Sequence, residues 1–366
     1  MTDTARQRLE AVRETMRSQG AGLMAIGPGA HMTWLLGFHP HADERPCLLL
    51  IGPERETFLM PALNAEGSRT HTDIRFHTWF DEDGPATALD AALAEAAGPD
   101  ISLVVIDETM RSDFALPLLD RLSGARHLFT GTTLGPLRMR KTEAEYRALK
   151  ENALINDRAF RAGFAAIRPG ISEAELGDVI RAHQSAAGAR PEFTIVGAGP
   201  NGAFPHHQTG ETRLGPGDAV VIDCGARKGD YPSDMTRMAV VGEPPEGYEE
   251  VHAIVDAAVE AALAAVRPGA VARDVDAAAR SVIAAAGYGR YFVHRTGHGL
   301  GVEVHEPPYI TSVSETVLDE GMVFSIEPGI YLPGRFGLRL EEIVIVRSDG
   351  PEILSELPRD AFRVAA

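Results

Sequence analysis

The 366-residue sequence has few cysteines and no long hydrophobic run. Its two cysteines, Cys47 and Cys224, are too few for a disulfide framework, which predicts a reducing compartment. The first twenty residues mix both charge signs and lack the apolar core of a signal peptide. No apolar stretch reaches the ~18 residues that a membrane-spanning helix needs. We therefore expect a cytoplasmic protein with no membrane partner.

An excess of positive charge is also lacking. Lys and Arg number 35 against 52 Asp and Glu, which gives a formal net charge of -17. A protein that binds a nucleic acid backbone needs a basic surface, so nucleic acid is not an expected partner. The hydrophobic content of 44% excludes a disordered chain, and the length predicts two domains that each bury a core.

The first part of the chain alternates helical and strand patterns. Apolar residues at helical spacing over 5–18 precede Gly20, which is a typical helix stop. Short apolar runs predict strands at 22–26, 47–51, 57–60 and 101–106. This alternation is typical of an α/β domain.

A domain boundary is predicted where this pattern breaks, between about 135 and 142. Thr142 and Glu145 then have the spacing of a capping box that starts a long helix. We predict an N-terminal α/β domain over 1–137 and a second domain over 138–366.

The second domain contains an internal duplication. The segment AAIRPG at 165–170 recurs as AAVRPG at 264–269, and LGPGDAVVID, ending at Asp223, matches LDEGMVFSIE, ending at Glu327. The offsets of 99 and 104 residues are nearly equal, which favours duplication over chance in an Ala-rich chain. Two similar half-domains related by a pseudo-twofold axis are therefore expected.

Each half carries two acidic residues on a predicted hairpin. Asp223 ends one strand and Asp234 begins the next, so a symmetric register places them opposite each other. Glu327 and Glu341 repeat this arrangement in the second half. Opposed like charges destabilise a strand pair, and their burial is costly unless a cation or shared protons compensate.

An imidazole lies between the two hairpins. His298 is flanked by Gly297 and Gly299, so the backbone can approach a site closely. Carboxylates with one imidazole favour manganese, cobalt or zinc. Five ligands, Asp223, Asp234, His298, Glu327 and Glu341, suit a hydrolase site that holds two divalent ions. The alternatives are that each acid is a solvated strand-end residue and that His298 is structural.

Three neighbouring features are interpreted as bystanders. Strand alternation lets only one of Glu341 and Glu342 face the site, and it directs Cys224 away from the metals into the core. The GAGPNG segment at 197–202 fits a dinucleotide motif, but Pro200 and the following AFPHHQTG give no helix. We interpret its glycines as shaping a loop that brings His206 to the site.

Six motifs resemble the pita-bread metallopeptidases, specifically Xaa-Pro dipeptidases (prolidases) and Xaa-Pro aminopeptidases. They read PNGAFPHH, VVIDCGA, SDMTR, TGHGLGVEVHEPP, SIEPGIY and GLRLEE. The resemblance covers essentially the whole chain and implies an α/β N-terminal domain followed by an α+β pita-bread domain of the creatinase/aminopeptidase-like type. It also implies two divalent ions per subunit, manganese first with cobalt or zinc as alternatives, and a homodimer.

The resemblance further implies roles for individual residues. Glu327 is similar to the family's general acid-base, His206 and His305 to histidines that hold substrate and stabilise the tetrahedral intermediate, and Arg339 to an arginine that braces the ligands. His207 is the expected bystander, because the motif aligns its first histidine.

The implied reaction is hydrolysis of an Xaa-Pro bond in a small peptide with proline after the scissile bond. We expect a dipeptidase; an aminopeptidase that acts on longer peptides is an alternative, and so is an amide hydrolase or lyase that acts on a small non-peptide substrate. A non-catalytic binding module is disfavoured because such relatives lose metal ligands.

Overall fold

The computed structural model describes residues 1–97 and 101–365. The chain divides into two compact units, Met1–Arg138 and Met139–Ala366. The boundary predicted from sequence lies one residue before this division. Among the described helices, none combines the length and the hydropathy that crossing a bilayer requires.

The first unit contains short strands that alternate with helices. Its helices are α1 (Asp3–Gln19), α2 (Ala30–Leu36), α3 (Ala62–Arg69), α4 (Ala86–Ala96), α5 (Ser112–Arg121) and α6 (Gly135–Met139), the last of which crosses the division. Its strands are β1 (Leu23–Ile26), β2 (Leu48–Ile51), β3 (Glu56–Pro61), β4 (Arg75–Trp79), β5 (Leu103–Ile106) and β6 (Arg126–Phe129). The four strands predicted from apolar runs are confirmed as β1, β2, β3 and β5.

These strands form one mixed sheet in the order β4-β3-β2-β1-β5-β6. Strands β1, β2 and β5 are buried along their whole length, which explains their continuous apolar sequence. The predicted helix α1 is also confirmed, and Gly20 ends it in the left-handed region at φ 74°. The first unit is therefore an α/β domain, as predicted.

The second unit combines four long helices with strands that pair antiparallel, except for the parallel pair of β10 and β18. The helices are α7 (Glu143–Ala166), α8 (Glu173–Ala186), α9 (Tyr248–Ala265) and α10 (Ala272–Ala285). The strands are β7 (Arg190–Ala198), β8 (Ala219–Lys228), β9 (Tyr231–Pro232), β10 (Thr236–Val241), β11 (Gly297–Gly299), β12 (Glu306–Ile310), β13 (Val323–Ile326), β14 (Gly329–Leu332), β15 (Phe336–Arg339), β16 (Glu342–Arg347), β17 (Gly350–Ile353) and β18 (Phe362–Val364). The capping box of Thr142 and Glu145 is present at the start of α7.

Each half of this unit has a helix pair followed by a sheet. In the first half, α7 and α8 precede the sheet β18-β10-β8-β7, with β9 paired to β8. In the second half, α9 and α10 precede the sheet β12-β11-β13-β16-β17. Strands β14 and β15 form a separate hairpin.

The duplication is confirmed by backbone hydrogen bonds that recur in the two halves. Gly170 N donates to Leu214 O at 2.7 Å, and Gly269 N donates to Leu318 O at 2.8 Å. Both glycines have φ +86°, a value that L side chains rarely adopt. The repeated RPG segment is thus the turn that joins each helix pair and anchors it to the segment before the central strand.

Candidate metal centre

The first acidic pair lies on strands β8 and β10, with a register that differs from the expected one. Asp223 is opposite Thr236, and Asp234 lies two residues before that partner. The symmetric register predicted from sequence is therefore wrong by two residues. Because side chains two residues apart on a strand share a face, both carboxylates still point to the same side of the sheet.

In the second acidic pair, Glu327 follows β13 and Glu341 precedes β16. Ile326 is opposite Glu342, so Glu327 and Glu341 lie just beyond the last strand pair. The backbone N–H of Glu341 donates to Thr236 O at 3.3 Å. This bond ties the end of the second hairpin to the first one.

Carboxylates from both hairpins and an imidazole from β11 converge at one place. Ligand atoms lie within 4.8 Å of one another in three overlapping groups, which are Asp223 with Asp234 and Glu341, His298 with Glu327 and Glu341, and Asp234 with His298 and His305. The Nε2 atom of His298 is 3.1 Å from Glu327 Oε1 and 3.7 Å from Asp234 Oδ2. The structure thus brings together all five residues that the sequence predicted as metal ligands.

Burial and mutual repulsion shift the pKa values of the four carboxyl groups in this cluster. Burial, together with repulsion among the carboxylates, raises the pKa of Asp223, Asp234 and Glu341 above the ordinary carboxyl value. Burial also acts to raise the pKa of Glu327, but the hydrogen bond and charge of His298 outweigh it and hold that pKa at about 2. His298 therefore favours the ionised form of Glu327, whereas burial disfavours the ionised form of the other three carboxyl groups.

In this cluster, two buried carboxylate oxygens, Asp223 Oδ1 and Glu341 Oε1, have no hydrogen-bond partner among the described residues; Glu342 Oε2, outside the cluster, is a third such oxygen. The other oxygen of each acid is bonded, since Asp223 Oδ2 accepts from Arg339 Nη2 at 2.6 Å and Glu341 Oε2 accepts from Thr236 Oγ1 at 2.9 Å. A buried carboxylate oxygen without a hydrogen-bond partner destabilises the folded state, and a bound cation would compensate its negative charge. The residues present therefore fit divalent metal ions.

Arg339 connects several members of the site. Besides Asp223, its guanidinium donates to Thr236 Oγ1 at 2.9 Å and to the Tyr331 hydroxyl at 2.7 Å. The Nε2 atom of His294 lies 2.8 Å from the same hydroxyl. The sequence analysis assigned a role to Arg339, which strand alternation places on the same face as Glu341. It assigned none to Thr236, Tyr331 or His294.

The three other histidines of the motifs occupy different environments. His206 and His305 line the same cavity as the carboxylates, and the His305 ring lies 4.0 Å from that of His298 between centroids. Burial and the charge of His298 lower the pKa of His305 to about 4. His207 instead lies 2.9 Å from the buried carboxylate of Glu173.

The side chains interpreted as bystanders point elsewhere. Glu342 Oε1 accepts from Arg237 Nη2 at 2.9 Å, and Cys224 Sγ contacts Asn156 at 3.5 Å. The GAGPNG segment ends β7 and continues as a 3₁₀ turn rather than an α-helix. Its Gly202 approaches Gly337 so closely that a Cβ on Gly337 would lie 1.8 Å from the Gly202 carbonyl oxygen.

The cluster lies in a cavity of about 710 Å³. Besides the acids and histidines, the lining includes apolar side chains from Phe193, Ile195, Pro205 and Val304, and two arginines, Arg295 and Arg339. Such a cavity can accept a small molecule with apolar and polar parts.

Comparison with known proteins places this architecture in a family. Residues 147–348 match metallopeptidase family M24, and residues 8–134 match the creatinase/prolidase N-terminal domain. The chain is 38% identical over 365 residues to a protein from Mycobacterium tuberculosis named probable dipeptidase PepE, covering 98% of this chain and 96% of that protein.

Solved structures agree. The crystal structure of dipeptidase PepE from Mycobacterium ulcerans has a TM-score of 0.94 and 36% identity, covering 99% of this chain and 98% of that one. The crystal structure of a prolidase from Thermococcus sibiricus has a TM-score of 0.92 and 34% identity, covering both chains completely. The predicted fold class is thereby confirmed. In this chain the catalytic domain follows a creatinase/prolidase N-terminal domain. The chain belongs to metallopeptidase family M24, and membership of this family implies divalent metal ions.

Proposed function

We propose that this protein is an Xaa-Pro dipeptidase that uses two divalent metal ions, manganese first with cobalt or zinc as alternatives. The observation that supports the metal site is the convergence of four carboxylates and one imidazole, with two buried carboxylate oxygens left without a partner. Asp223, Asp234, His298, Glu327 and Glu341 would hold the ions. When bound, such ions act as Lewis acids and lower the pKa of water.

Glu327 is the proposed general acid-base. Its Oε1 lies 3.1 Å from His298 Nε2 and lines the cavity, and as a carboxylate it can accept a proton from the attacking water. The oxygen of that water forms a bond to the scissile carbonyl carbon, the carbon–nitrogen bond breaks, and the proton passes to the leaving proline nitrogen. Returning the proton restores the carboxylate for the next turnover.

His206 and His305 are the proposed donors to the oxyanion. A histidine whose pKa is about 4 is neutral at pH 7, and a neutral imidazole still donates through one ring N–H. Arg339 holds Asp223 and Thr236, and through Thr236 it orients Glu341. Its proposed role is to position the ligands.

The test combines metal analysis with a peptide panel. The protein is loaded with manganese, cobalt or zinc, and the release of proline from Ala-Pro is compared with cleavage of Ala-Pro-Ala and Ala-Ala. Ala-Pro as the preferred substrate, with two ions per chain, supports the proposal. Preference for Ala-Pro-Ala would support an aminopeptidase, and failure on every peptide would support a small non-peptide substrate.

The cellular setting completes the proposal. We infer a cytoplasmic homodimer that acts on small peptides and has no nucleic acid or membrane partner. Two buried free cysteines and a net charge of -17 support this setting. Light scattering on the eluted protein measures the mass of the assembly, and a monomer would contradict the dimer.

A further inference from the structure

The proposed oxyanion donor His206 lies on a loop, residues 199–210, that directly follows β7. Its side chain is exposed and lines the cavity, and over residues 1–97 and 101–365 its ring forms no hydrogen bond. A side chain that is not held by hydrogen bonds of its own takes its position from its backbone and from the groups that support that backbone. The placement of His206 therefore depends on what fixes this loop.

One buried carboxylate, that of Glu173, fixes the loop at both ends. Its Oε1 accepts from Ala198 N, just before the loop, and from Asn201 Nδ2, both at 2.9 Å. Its Oε2 accepts from Gly210 N at 3.1 Å and lies 2.9 Å from His207 Nε2. Glu173 is completely buried, so water does not compete for these contacts. A single side chain thus connects both ends of the loop and two residues within it.

The second half of this unit shows that the fold does not require a carboxylate at this position. Glu173 N donates to Thr212 O at 2.9 Å, and Ala272 N donates to Thr316 O at the same distance. These two pairs are related by the offsets of the duplication, so Ala272 is the counterpart of Glu173. Its methyl group cannot accept a hydrogen bond. The backbone contact is common to both halves, whereas the carboxylate belongs to the half that carries the His206 loop.

His207 links this carboxylate to the cavity. Among the described residues, no arginine or lysine pairs with Glu173, and His207 is its ion-pair partner. His206 lines the cavity, whereas its neighbour His207 does not. Because consecutive Cα atoms are only about 3.8 Å apart, a shift of His207 would also displace His206.

We propose that Glu173 and His207 are positioning residues that hold His206 at the metal centre. The inference rests on the proposed function, because that function makes His206 a donor to the oxyanion. It gives a role to His207, which the sequence analysis interpreted as a bystander. Neither member of the pair lines the cavity, so both would act only through His206.

A double-mutant cycle on the metal-loaded protein, with Ala-Pro as substrate, tests this role. His207→Ala should lower kcat by about tenfold with metal content unchanged, because His206 loses its fixed position. In a His206→Ala background the same substitution should change kcat by less than about twofold, since the donor through which it acts is already absent. His207→Gln, which can still donate to the carboxylate, should recover part of the activity.

Glu173→Gln should behave like His207→Ala in both backgrounds. It keeps the size of the side chain but replaces one acceptor oxygen by a donor, so one of the contacts at the loop ends is lost. Glu175→Gln and His183→Ala are the matched controls, because both residues are exposed, lie on the same helix α8 and are absent from the cavity lining. Both controls should keep kcat, KM and metal content within about twofold of wild type.

Backbone hydrogen exchange tests the placement of the loop without relying on activity. Deuterium uptake over 198–210 should be at least about tenfold faster in His207→Ala and Glu173→Gln than in wild type, because the loop opens more often. The two controls should match wild type. His207 is only half-buried, so His207→Ala provides the test if Glu173→Gln does not fold.

Three results would overturn the inference while leaving the proposed function intact. They are losses of kcat that multiply in the His206→Ala background, a loss of bound metal in His207→Ala, and unchanged exchange over 198–210 in His207→Ala. Failure of metal-loaded wild type on Ala-Pro would instead contradict the proposed function, and the exchange result would still decide whether the pair fixes the loop.

Discussion

Two clusters of acids and histidine in this protein look alike by composition and differ in how their oxygens are used. In the first unit, ligand atoms of His31, Asp107 and Glu108 lie within 4.8 Å of one another, as they do in the metal centre of the second unit. Grouping alone therefore does not separate a metal site from a structural network.

The hydrogen bonds separate them. Asp107 Oδ1 accepts from Thr109 N, Asp107 Oδ2 accepts from Gly27 N, and the two oxygens of Glu108 accept from Gly131 N and Thr130 Oγ1. Every carboxylate oxygen in this network has a partner. In the second unit, Asp223 Oδ1 and Glu341 Oε1 have none among the residues that the structure describes. Within a cluster of acids and histidine, oxygens without partners are thus the better indicator of a cation.

The largest expected effect of this difference is on metal content and catalysis. Asp234→Asn should reduce bound metal below two ions per chain and lower kcat/KM by more than about 1000-fold, because a proposed ligand is lost. Elemental analysis and proline release measure both. Asp107→Asn is the control and should keep both ions and activity within about threefold of wild type. An active Asp234→Asn protein without metal would contradict the assignment.

In the absence of metal, the same two substitutions should change stability in opposite directions. Asp107→Asn replaces an oxygen that accepts from Gly27 N, so it should destabilise the first unit by about 1–3 kcal/mol. Asp234→Asn removes a buried carboxylate whose pKa burial raises, so it should stabilise the second unit by about 1 kcal/mol or more.

Urea unfolding in EDTA at pH 8 tests this pair of predictions. Both tryptophans, Trp34 and Trp79, belong to the first unit, so their fluorescence reports on that unit, while circular dichroism reports on both. Destabilisation of the second unit by Asp234→Asn would mean that the carboxylate is satisfied without metal.

A smaller effect is expected on how the stability of the metal-free protein depends on pH. Because burial raises the pKa of Asp234 and Glu341, the folded state binds more protons than the unfolded state, and stability falls as pH rises through the folded pKa values. His305, whose pKa is lowered to about 4, acts in the opposite direction only below its ordinary value of about 6.5.

Above pH 6.5, where His305 no longer contributes, the metal-free second unit should therefore lose stability as pH rises through the raised pKa values of Asp234 and Glu341. Bound metal should remove this slope, because it compensates the charged carboxylates. Denaturant unfolding at several pH values, with and without manganese, measures it. A metal-free protein that becomes more stable over this range would refute the electrostatic account.

The smallest expected effect distinguishes two fully buried threonines. Thr236 donates to Glu341 and accepts from Arg339, whereas Thr130 contacts Glu108 and His31. Thr236→Val should lower kcat/KM by about tenfold, since it frees a proposed ligand from its orienting bond. Thr130→Val should destabilise the first unit and leave activity unchanged. Equal activity losses in both variants would contradict the proposal that only the cluster of the second unit is functional.

Local signals in the sequence account for much of the fold. The apolar runs predicted β1, β2, β3 and β5, because strands buried on both faces must be continuously apolar. Strands β4 and β6 were missed, since they lie at the sheet edges and carry polar residues such as Arg75 and Arg126. Their assignment depends on neighbours that a local pattern does not contain.

The residues of the site also divide into those that the sequence indicated and those that it did not. The four acids among the proposed ligands could be selected because they recur at matching places in the two halves, and His298 because Gly297 and Gly299 flank it between the hairpins. No role was assigned to His294, Tyr331 and Thr236, although SDMTR and SIEPGIY contain two of them, because their contacts are made between separate segments. Tyr331 gains its role only when β14 and β15 bring it to Arg339.

By itself the sequence determined the capped helices, the duplicated turns at Gly170 and Gly269, and the residue types of the site. These depend on interactions that span a few residues. Only the tertiary structure decided that Asp223 is opposite Thr236 and that, within residues 1–97 and 101–365, Glu341 Oε1 has no partner. The physical reason is that register, burial and charge compensation arise between segments as far as about a hundred residues apart, where packing rather than local preference sets the geometry.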